Sequence, residues 1–183
     1  HDSGKVADYY FGTLKKAIPA ISGLLDFFRR NELQVVFITQ GPLTEGGQEV
    51  PYHLRLAHDR FVATGEPGAT GSPQFEIIPE LRPDSNELVF HKVTNSGFAG
   101  TSLDLVLRNL GVTTLVYTGA ATDGCVEATA RYGADLGYKT ILVEDGCVTQ
   151  SQLFHEVVLM HCVQIWGRVL NSDQVVAELA ERV

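Results

Sequence analysis

The chain has 183 residues, of which 44% are hydrophobic and 20% are charged, as is typical of one globular domain, here taken as 1–183. The net charge of −8, without any Lys/Arg cluster, argues against nucleic acid or an anionic membrane surface as the main partner. Three cysteines without a CxxC pair favour a reducing compartment, so we expect a cytoplasmic protein.

The predicted elements alternate between helix and strand after a first helix over 13–30, which Pro19 is expected to bend. Strands are predicted at 33–39, 87–92, 113–119, 138–145 and 164–170. Helices are predicted at 101–111, from near Cys125 to Gly137, at 151–163 and at 172–183, the last with Ser172 as N-cap. This order predicts an α/β fold with a mostly parallel sheet covered on both faces.

Two parts of the pattern are irregular. No strand precedes the first helix, although every later helix follows one, so we expect that an N-terminal strand is missing from the chain. The segment 40–86 is rich in glycine and proline and long for a connection, which indicates either a lid or binding segment or a variable surface loop.

The turn GAATDGC, residues 119–125, places a cysteine where a strand gives way to a helix. Ligands of parallel sheets bind at the carboxyl ends of the strands. At a helix N-terminus, Cys125 would meet unpaired backbone N–H groups that favour the thiolate form and could hold an oxyanion. We therefore interpret Cys125 as a candidate nucleophile and regard Cys147 and Cys162 as packing residues.

Lys92 ends the strand before the segment HKVTNSGFAGT, residues 91–101, at the same predicted edge of the sheet. Its position fits two readings equally well. One is a solvated strand terminus, and the other is a cation that favours ionisation of the nearby thiol.

The residues HKVTNSGFAGTSLDLVLRNLGVTTLVYTGAATDGCVEATARYGADLGYKTILVED carry a resemblance to the isochorismatase-like cysteine hydrolases. That family includes nicotinamidases, N-carbamoylsarcosine amidases and ureidoacrylate or biuret-type amidohydrolases. The resemblance covers most of the chain, is strongest over 88–145, and rests on a long ordered pattern that ends in G-x-A-T-D-x-C-V-x-x-T-A-R. It implies a three-layer α/β/α sandwich around a mostly parallel sheet.

The resemblance also implies an Asp–Lys–Cys triad, in which Cys125 is the nucleophile and Lys92 is the lysine. Backbone N–H groups of Ala121 and Cys125 would then hold the oxyanion, and the Ala120–Ala121 peptide bond would be cis. The family's aspartate lies in a first-strand motif resembling I-D-M-Q-x-D-F, which this sequence lacks.

We accordingly expect the aspartate upstream of His1, because Asp2 and Asp8 come too late in the pattern. If it is absent altogether, the triad is incomplete.

The D-x-H metal cluster of nicotinamidases is also absent, so we expect neither a metal nor a cofactor. His53, His58 and Asp59 are interpreted as surface or lid residues. The candidate substrate-binding residues are Gln40, Asn95 and Phe98, each of which could equally serve in loop capping or core packing.

The sequence therefore predicts a cysteine-dependent hydrolase of a small carbamoyl- or ureido-type amide. Two alternatives are open: a vinyl-ether hydrolase of the isochorismatase type, against which the cysteine argues, and a non-catalytic scaffold or thiol sensor. We expect a homo-oligomer, a dimer or a tetramer, whose main ligand is the small-molecule amide.

Overall fold

Strands and helices alternate in the computed structural model, which describes residues 3–44, 46–55 and 76–182. The strands are β1 (Val36–Gln40), β2 (Leu88–Lys92), β3 (Thr114–Ala120), β4 (Lys139–Val148) and β5 (Arg168–Leu170). The helices are α1 (Ser3–Arg30), α2 (Leu103–Asn109), α3 (Glu127–Asp135), α4 (Gln152–His161) and α5 (Ser172–Ala180). Two π-helical turns, Thr122–Val126 and Cys162–Trp166, and a short 3₁₀ helix, Pro79–Leu81, complete the elements.

All strand pairs are parallel, as the alternation of elements predicted. β1 pairs with β2, and β3, β4 and β5 form a second sheet in that order. The last residues of β1 and β2, Gln40 and Lys92, are register partners. Both side chains therefore lie at the carboxyl edge of their sheet.

Helices cover both faces of the three-stranded sheet. Leu142 and Val143 follow each other on β4 and, because side chains alternate along a strand, belong to different apolar clusters. Leu142 packs with residues of α3 and α4, whereas Val143 packs with Leu24 of α1 and Val175 of α5. The three-layer α/β/α sandwich is thus confirmed.

A cavity of about 300 Å³ lies between the two sheets. Residues of α1, β1 and β3 line it, among them Leu24, Phe28, Ile38 and Val116. Within the part of the chain that the structure describes, β1 pairs only with β2 and β3 only with β4, so the facing edges of β1 and β3 are open. The strand expected before the first helix stays an expectation.

Helix α1 differs from the predicted one. It begins at Ser3, ten residues before the predicted start, and continues through Pro19. Leu24 packs under β4 and α5, and this tertiary packing outweighs the hydrogen bond that a proline inside a helix removes.

The N-cap predicted for the last helix is wrong by one residue. The Asn171 side chain accepts a hydrogen bond from the Gln174 N–H, and the Gln174 side chain accepts one from Asn171 in return. Ser172 instead donates its backbone N–H and its hydroxyl to the two carboxylate oxygens of Asp145. Asparagine and serine are comparable caps, and the contact with Asp145 decides between them.

The segment 40–86 is described over 40–44, 46–55 and 76–86 only. Whether it acts as a lid stays a prediction. None of the helices in the described ranges is both long enough and apolar enough to cross a membrane.

Candidate active site

Cys125 lies in the turn that leads from β3 to α3. The turn Thr122–Val126 is π-helical, and Gly124 within it has a non-helical conformation, with φ −128° and ψ −107°. Helix α3 therefore begins at Glu127, two residues later than predicted. Cys125 is half-buried and follows the carboxyl end of β3, where parallel sheets bind their ligands.

Lys92 is buried, with only 4% of its surface exposed, so the reading of a solvated strand terminus is wrong. Its Nζ donates to Cys125 Sγ over 3.2 Å and to the Thr94 carbonyl oxygen over 2.7 Å. β2 and the turn after β3 meet at one edge, and this brings together a lysine and a thiol that lie 33 residues apart.

Gln40 is the third member of this cluster. Its Oε1 accepts from Lys92 Nζ over 2.5 Å and from Cys125 Sγ over 2.7 Å. Because Gln40 and Lys92 are register partners on β1 and β2, pairing of the strands itself places the two side chains together. The amide of Gln40 thus contacts the reactive groups directly.

Burial is the main influence on the pKa of Lys92. It lowers the pKa of Lys92, because an ammonium group loses hydration on leaving water. The Cys125 sulfur opposes this and raises the lysine pKa through its charge and its hydrogen bond. The interaction with Cys125 therefore offsets part of the cost of burying the Lys92 ammonium group.

The segment after β2 is tied to the same turn through Thr129, a residue that our sequence analysis did not single out. Thr129 Oγ1 donates to the Cys125 carbonyl over 2.6 Å and accepts from the Gly97 N–H over 2.9 Å. A Cβ at Gly97 would lie 2.6 Å from Ile38 Cδ1 and 3.2 Å from Thr129 Cγ2, so a larger residue would require these side chains to shift. Thr129 belongs to the T-A-R end of the quoted pattern, which could have identified it.

The Ala120–Ala121 peptide bond is cis, as the resemblance implied. The Ala121 carbonyl accepts from the N–H groups of Gly124 and Val126 and so closes the turn around Cys125. The assignment of the Ala121 and Cys125 N–H groups to an oxyanion stays a prediction.

Asn95 and Phe98 occupy different environments. Asn95 is half-buried in the loop after β2, close in sequence to Thr94. Phe98 is buried and stacks against Tyr132 and Tyr138, so it has a packing role in the core. Contact of either residue with substrate stays a prediction.

The Cys125 turn has two further contacts that sequence reasoning missed. Thr122 Oγ1 lies 2.9 Å from His155 Nδ1 on α4, and Thr149 Oγ1 donates to Asp123. Residues distant in sequence make these contacts, so no local signal revealed them. They hold the turn against β4 and α4.

The other residues considered as a base or as metal ligands do not form a site within the described part of the chain. Asp8 is exposed on α1, and His53 is exposed in the segment after β1. Asp2, His58 and Asp59 lie outside the described residues. Among the residues that are described, no three His, Cys, Asp or Glu side chains cluster in a way that could hold a metal.

Known proteins resemble the chain in sequence and in structure. It is 44% identical over 109 residues to the ureidoacrylate amidohydrolase RutB of Acinetobacter baylyi, covering 59% of this chain and 44% of that protein. It superimposes with a TM-score of 0.81 on an isochorismatase family protein of Desulfovibrio vulgaris, at 25% identity, covering 94% and 87% of the two chains. With N-carbamoylsarcosine amidase of Thermoplasma acidophilum, the TM-score is 0.73 at 26% identity, covering 88% and 86%.

The chain spans between 44% and 58% of the length of the first three curated relatives, all named RutB. A family model, described as the isochorismatase domain, matches residues 7–174. This match includes all five strands and the Lys92–Cys125 contact. The chain therefore belongs to the isochorismatase family.

Proposed function

We propose that the protein hydrolyses a small carbamoyl- or ureido-type amide, with Cys125 as nucleophile and a thioester as intermediate. The observation that carries the proposal is the 3.2 Å contact between Lys92 Nζ and Cys125 Sγ at the carboxyl edge of the strands. A buried cation against a thiol stabilises the thiolate, which is the nucleophilic form.

In the first step, the Cys125 thiol gives its proton to a base, and the thiolate attacks the substrate carbonyl carbon. Backbone N–H groups at Ala121 and Cys125 hold the resulting oxyanion. The C–N bond then breaks, and the nitrogen leaves as ammonia or an amine after receiving a proton. Water attacks the thioester, which releases the acid and restores the thiol.

The base is a carboxylate in this scheme. Within the described residues, the Cys125 thiol donates to Gln40 Oε1, a neutral amide oxygen that does not take up a proton near pH 7. The role therefore falls to the aspartate that the family resemblance places on a first strand. Gln40 instead orients Lys92 and the thiol.

Similarity to proteins named ureidoacrylate amidohydrolase and N-carbamoylsarcosine amidase supports a carbamoyl or ureido substrate. Both names describe cleavage of a C–N bond outside a peptide. Asn95, half-buried beside the Lys92–Thr94 contact, is a candidate to hydrogen-bond the amide group.

Two alternatives remain distinct in their chemistry. A vinyl-ether hydrolase of the isochorismatase type does not need a thiol nucleophile, whereas here the thiol contacts a buried lysine. A non-catalytic scaffold or thiol sensor would retain the thiol but form no acyl adduct with an amide.

The proposal is tested by mass spectrometry of the intact protein after incubation with ureidoacrylate-like and N-carbamoyl compounds. We expect an adduct of the acyl mass on Cys125, none on Cys125→Ser, and at least about 100-fold slower turnover in Lys92→Met. Turnover that persists in Cys125→Ser would overturn the cysteine mechanism. If none of these amides gives either turnover or an adduct, the result favours the non-catalytic scaffold.

A further inference from the structure

One histidine of α4 faces the turn that carries Cys125. His155 is half-buried, and its Nδ1 lies 2.9 Å from Oγ1 of Thr122, the first residue of that turn. Three residues later on α4, Val158 packs in the same apolar cluster as Val126, the last residue of the turn. Residues three apart share a helix face, so one face of α4 contacts both ends of the Cys125 turn.

The Thr122 hydroxyl is enclosed by the protein. Thr122 has 0% of its surface exposed, so water cannot replace a lost hydrogen-bond partner. Among the residues that the structure describes, its side chain forms a hydrogen bond only with His155. A buried hydroxyl without an acceptor is unfavourable, so the position of Thr122 depends on the ring of His155.

This contact depends on the charge of the ring. A neutral imidazole has one nitrogen that accepts a hydrogen bond, whereas both nitrogens of the charged ring donate. Burial lowers the pKa of His155 below its ordinary value of 6.5. Three carboxylates, Glu144 of β4, Glu156 of α4 and Asp123 of the turn, and a hydrogen bond to the Glu144 backbone act in the opposite direction without outweighing burial. The ring is therefore neutral near pH 7, and its Nδ1 can accept from the Thr122 hydroxyl.

A shift of Thr122 would reach the groups that are candidates for catalysis. Thr122 directly follows Ala121, whose N–H is a candidate to hold the oxyanion. The Ala121 carbonyl accepts from the N–H groups of Gly124 and Val126, which lie on either side of Cys125. The contact with His155 is thus linked through the backbone of one short turn to the thiol.

We propose that His155 is a positioning residue for the Cys125 turn. Its neutral ring accepts from the Thr122 hydroxyl and holds the Ala121 N–H and the Cys125 thiol in their reactive arrangement. Protonation of the ring leaves the hydroxyl without its acceptor, and the turn shifts. The effect on turnover rests on the proposed function, whereas the effect on the reactivity of the thiol does not.

The first test is the rate at which iodoacetamide alkylates Cys125, measured by peptide mapping from about pH 5 to about pH 8, where histidine titrates. His155→Asn is the informative variant, because its amide oxygen can replace Nδ1 as the acceptor but does not take up a proton. We expect the ratio of the wild-type rate to the His155→Asn rate to be about 1 at neutral pH and to fall at least about threefold in acid. This ratio removes the titration of the thiol itself.

Two further variants complete this series. His155→Leu removes the acceptor, and we expect it to slow alkylation at least about threefold at every pH. His161→Asn is the matched control, because His161 ends the same helix but contacts Arg131 and Trp166 instead. It should follow the wild type throughout.

Turnover of a carbamoyl or ureido amide is the second measurement. We expect His155→Leu to lower kcat about tenfold and to leave KM nearly unchanged, because the contact positions the turn and not the substrate. His155→Asn should restore kcat at neutral pH. Thr122→Val, which lacks the hydroxyl, should behave like His155→Leu, and Thr122→Ser should stay close to the wild type.

These variants should remain folded, because Thr149 donates to Asp123 and holds the turn independently of His155. Far-UV circular dichroism checks this, and if His155→Leu does not fold, Thr122→Val removes the same contact from the other side. A His155→Asn variant with the full acid response of the wild type would overturn the proposal, as would a folded His155→Leu with the wild-type alkylation rate at every pH. If the wild type turns over none of the amides, only the proposed function fails, and the alkylation rates still decide the role of His155.

Discussion

Gln40 ends β1 with its amide oxygen between Lys92 Nζ and Cys125 Sγ. From the sequence it was a candidate to bind the substrate amide, yet its side chain contacts both reactive groups. The same oxygen accepts from a cation and a thiol, and it thereby fixes their relative positions. At the residue scale, the candidate site is a cluster of three side chains, each of which is hydrogen-bonded to the other two.

The three cysteines differ in burial, and their reactivity should differ accordingly. Burial raises the pKa of Cys147 to about 12 and that of Cys162 to about 11. Cys125 is half-buried, beside a lysine. We expect brief treatment with iodoacetamide, followed by peptide mapping, to label Cys125 well before the other two. Equal labelling of all three in the folded protein would contradict the assignment.

The buried lysine should make stability depend on pH. Burial lowers the pKa of Lys92 from its ordinary value of 10.5, so the folded protein releases this proton at a lower pH than the unfolded chain does. Between those two values the unfolded state binds more protons, and stability rises with pH. We expect the unfolding free energy of the wild type, relative to Lys92→Met, to increase as pH rises from neutral towards 10.5.

Urea unfolding at a series of pH values measures this difference. Lys139→Met, at an exposed lysine that begins β4, serves as the control and should show no such trend. A constant difference between wild type and Lys92→Met would mean that Lys92 holds the same charge in both states.

At the scale of elements, the packing of α3 on β3 depends on a glycine. A Cβ at Gly133 would lie 2.3 Å from Tyr117 Oη and 3.2 Å from a Phe98 ring carbon. A larger residue would require either the Tyr117 side chain or α3, which carries Thr129, to move.

We expect Gly133→Ala to destabilise the protein by about 1–3 kcal/mol through overpacking, although alanine favours helices. Gly23→Ala is the matched control, because Gly23 lies inside α1 with no atom within 4 Å of its Cβ position. There alanine should stabilise by about 0.5–1 kcal/mol. Urea denaturation of both variants measures these changes, and a stabilised Gly133→Ala would show that α3 shifts without cost.

At the scale of the whole molecule, the candidate site residues come from three separate parts of the chain. Parallel pairing of β1 with β2 places Gln40 beside Lys92, whereas Cys125 follows β3 of the other sheet and reaches both residues through side-chain contacts. The helical layers on both faces hold the strands that carry these residues. The candidate site therefore forms only where the two sheets come together.

The absence of a D-x-H pattern from the sequence predicts a reaction without metal. We expect turnover of a carbamoyl or ureido amide to survive dialysis against EDTA, with elemental analysis showing less than one metal ion per chain. Loss of turnover on chelation, followed by recovery with zinc, iron or manganese, would reverse this expectation. His53 and His58 would then be the first ligands to replace.

The sequence by itself determined the order of strands and helices, the three-layer architecture and the choice of Cys125 and Lys92. The periodicity of apolar residues and the glycines at the ends of elements are local signals, and they placed most strands within a few residues of their observed limits. The long pattern from 91 to 145 carried the family resemblance, including the cis bond at Ala120–Ala121.

Only the tertiary structure decided that Lys92 is buried, that Gln40 bonds to it, and that Thr129 and His155 hold the Cys125 turn. These contacts join residues far apart in sequence, and their distances depend on strand register and helix packing. Burial likewise depends on every element that covers a side chain. No local pattern encodes these quantities, because they arise only when the layers pack together.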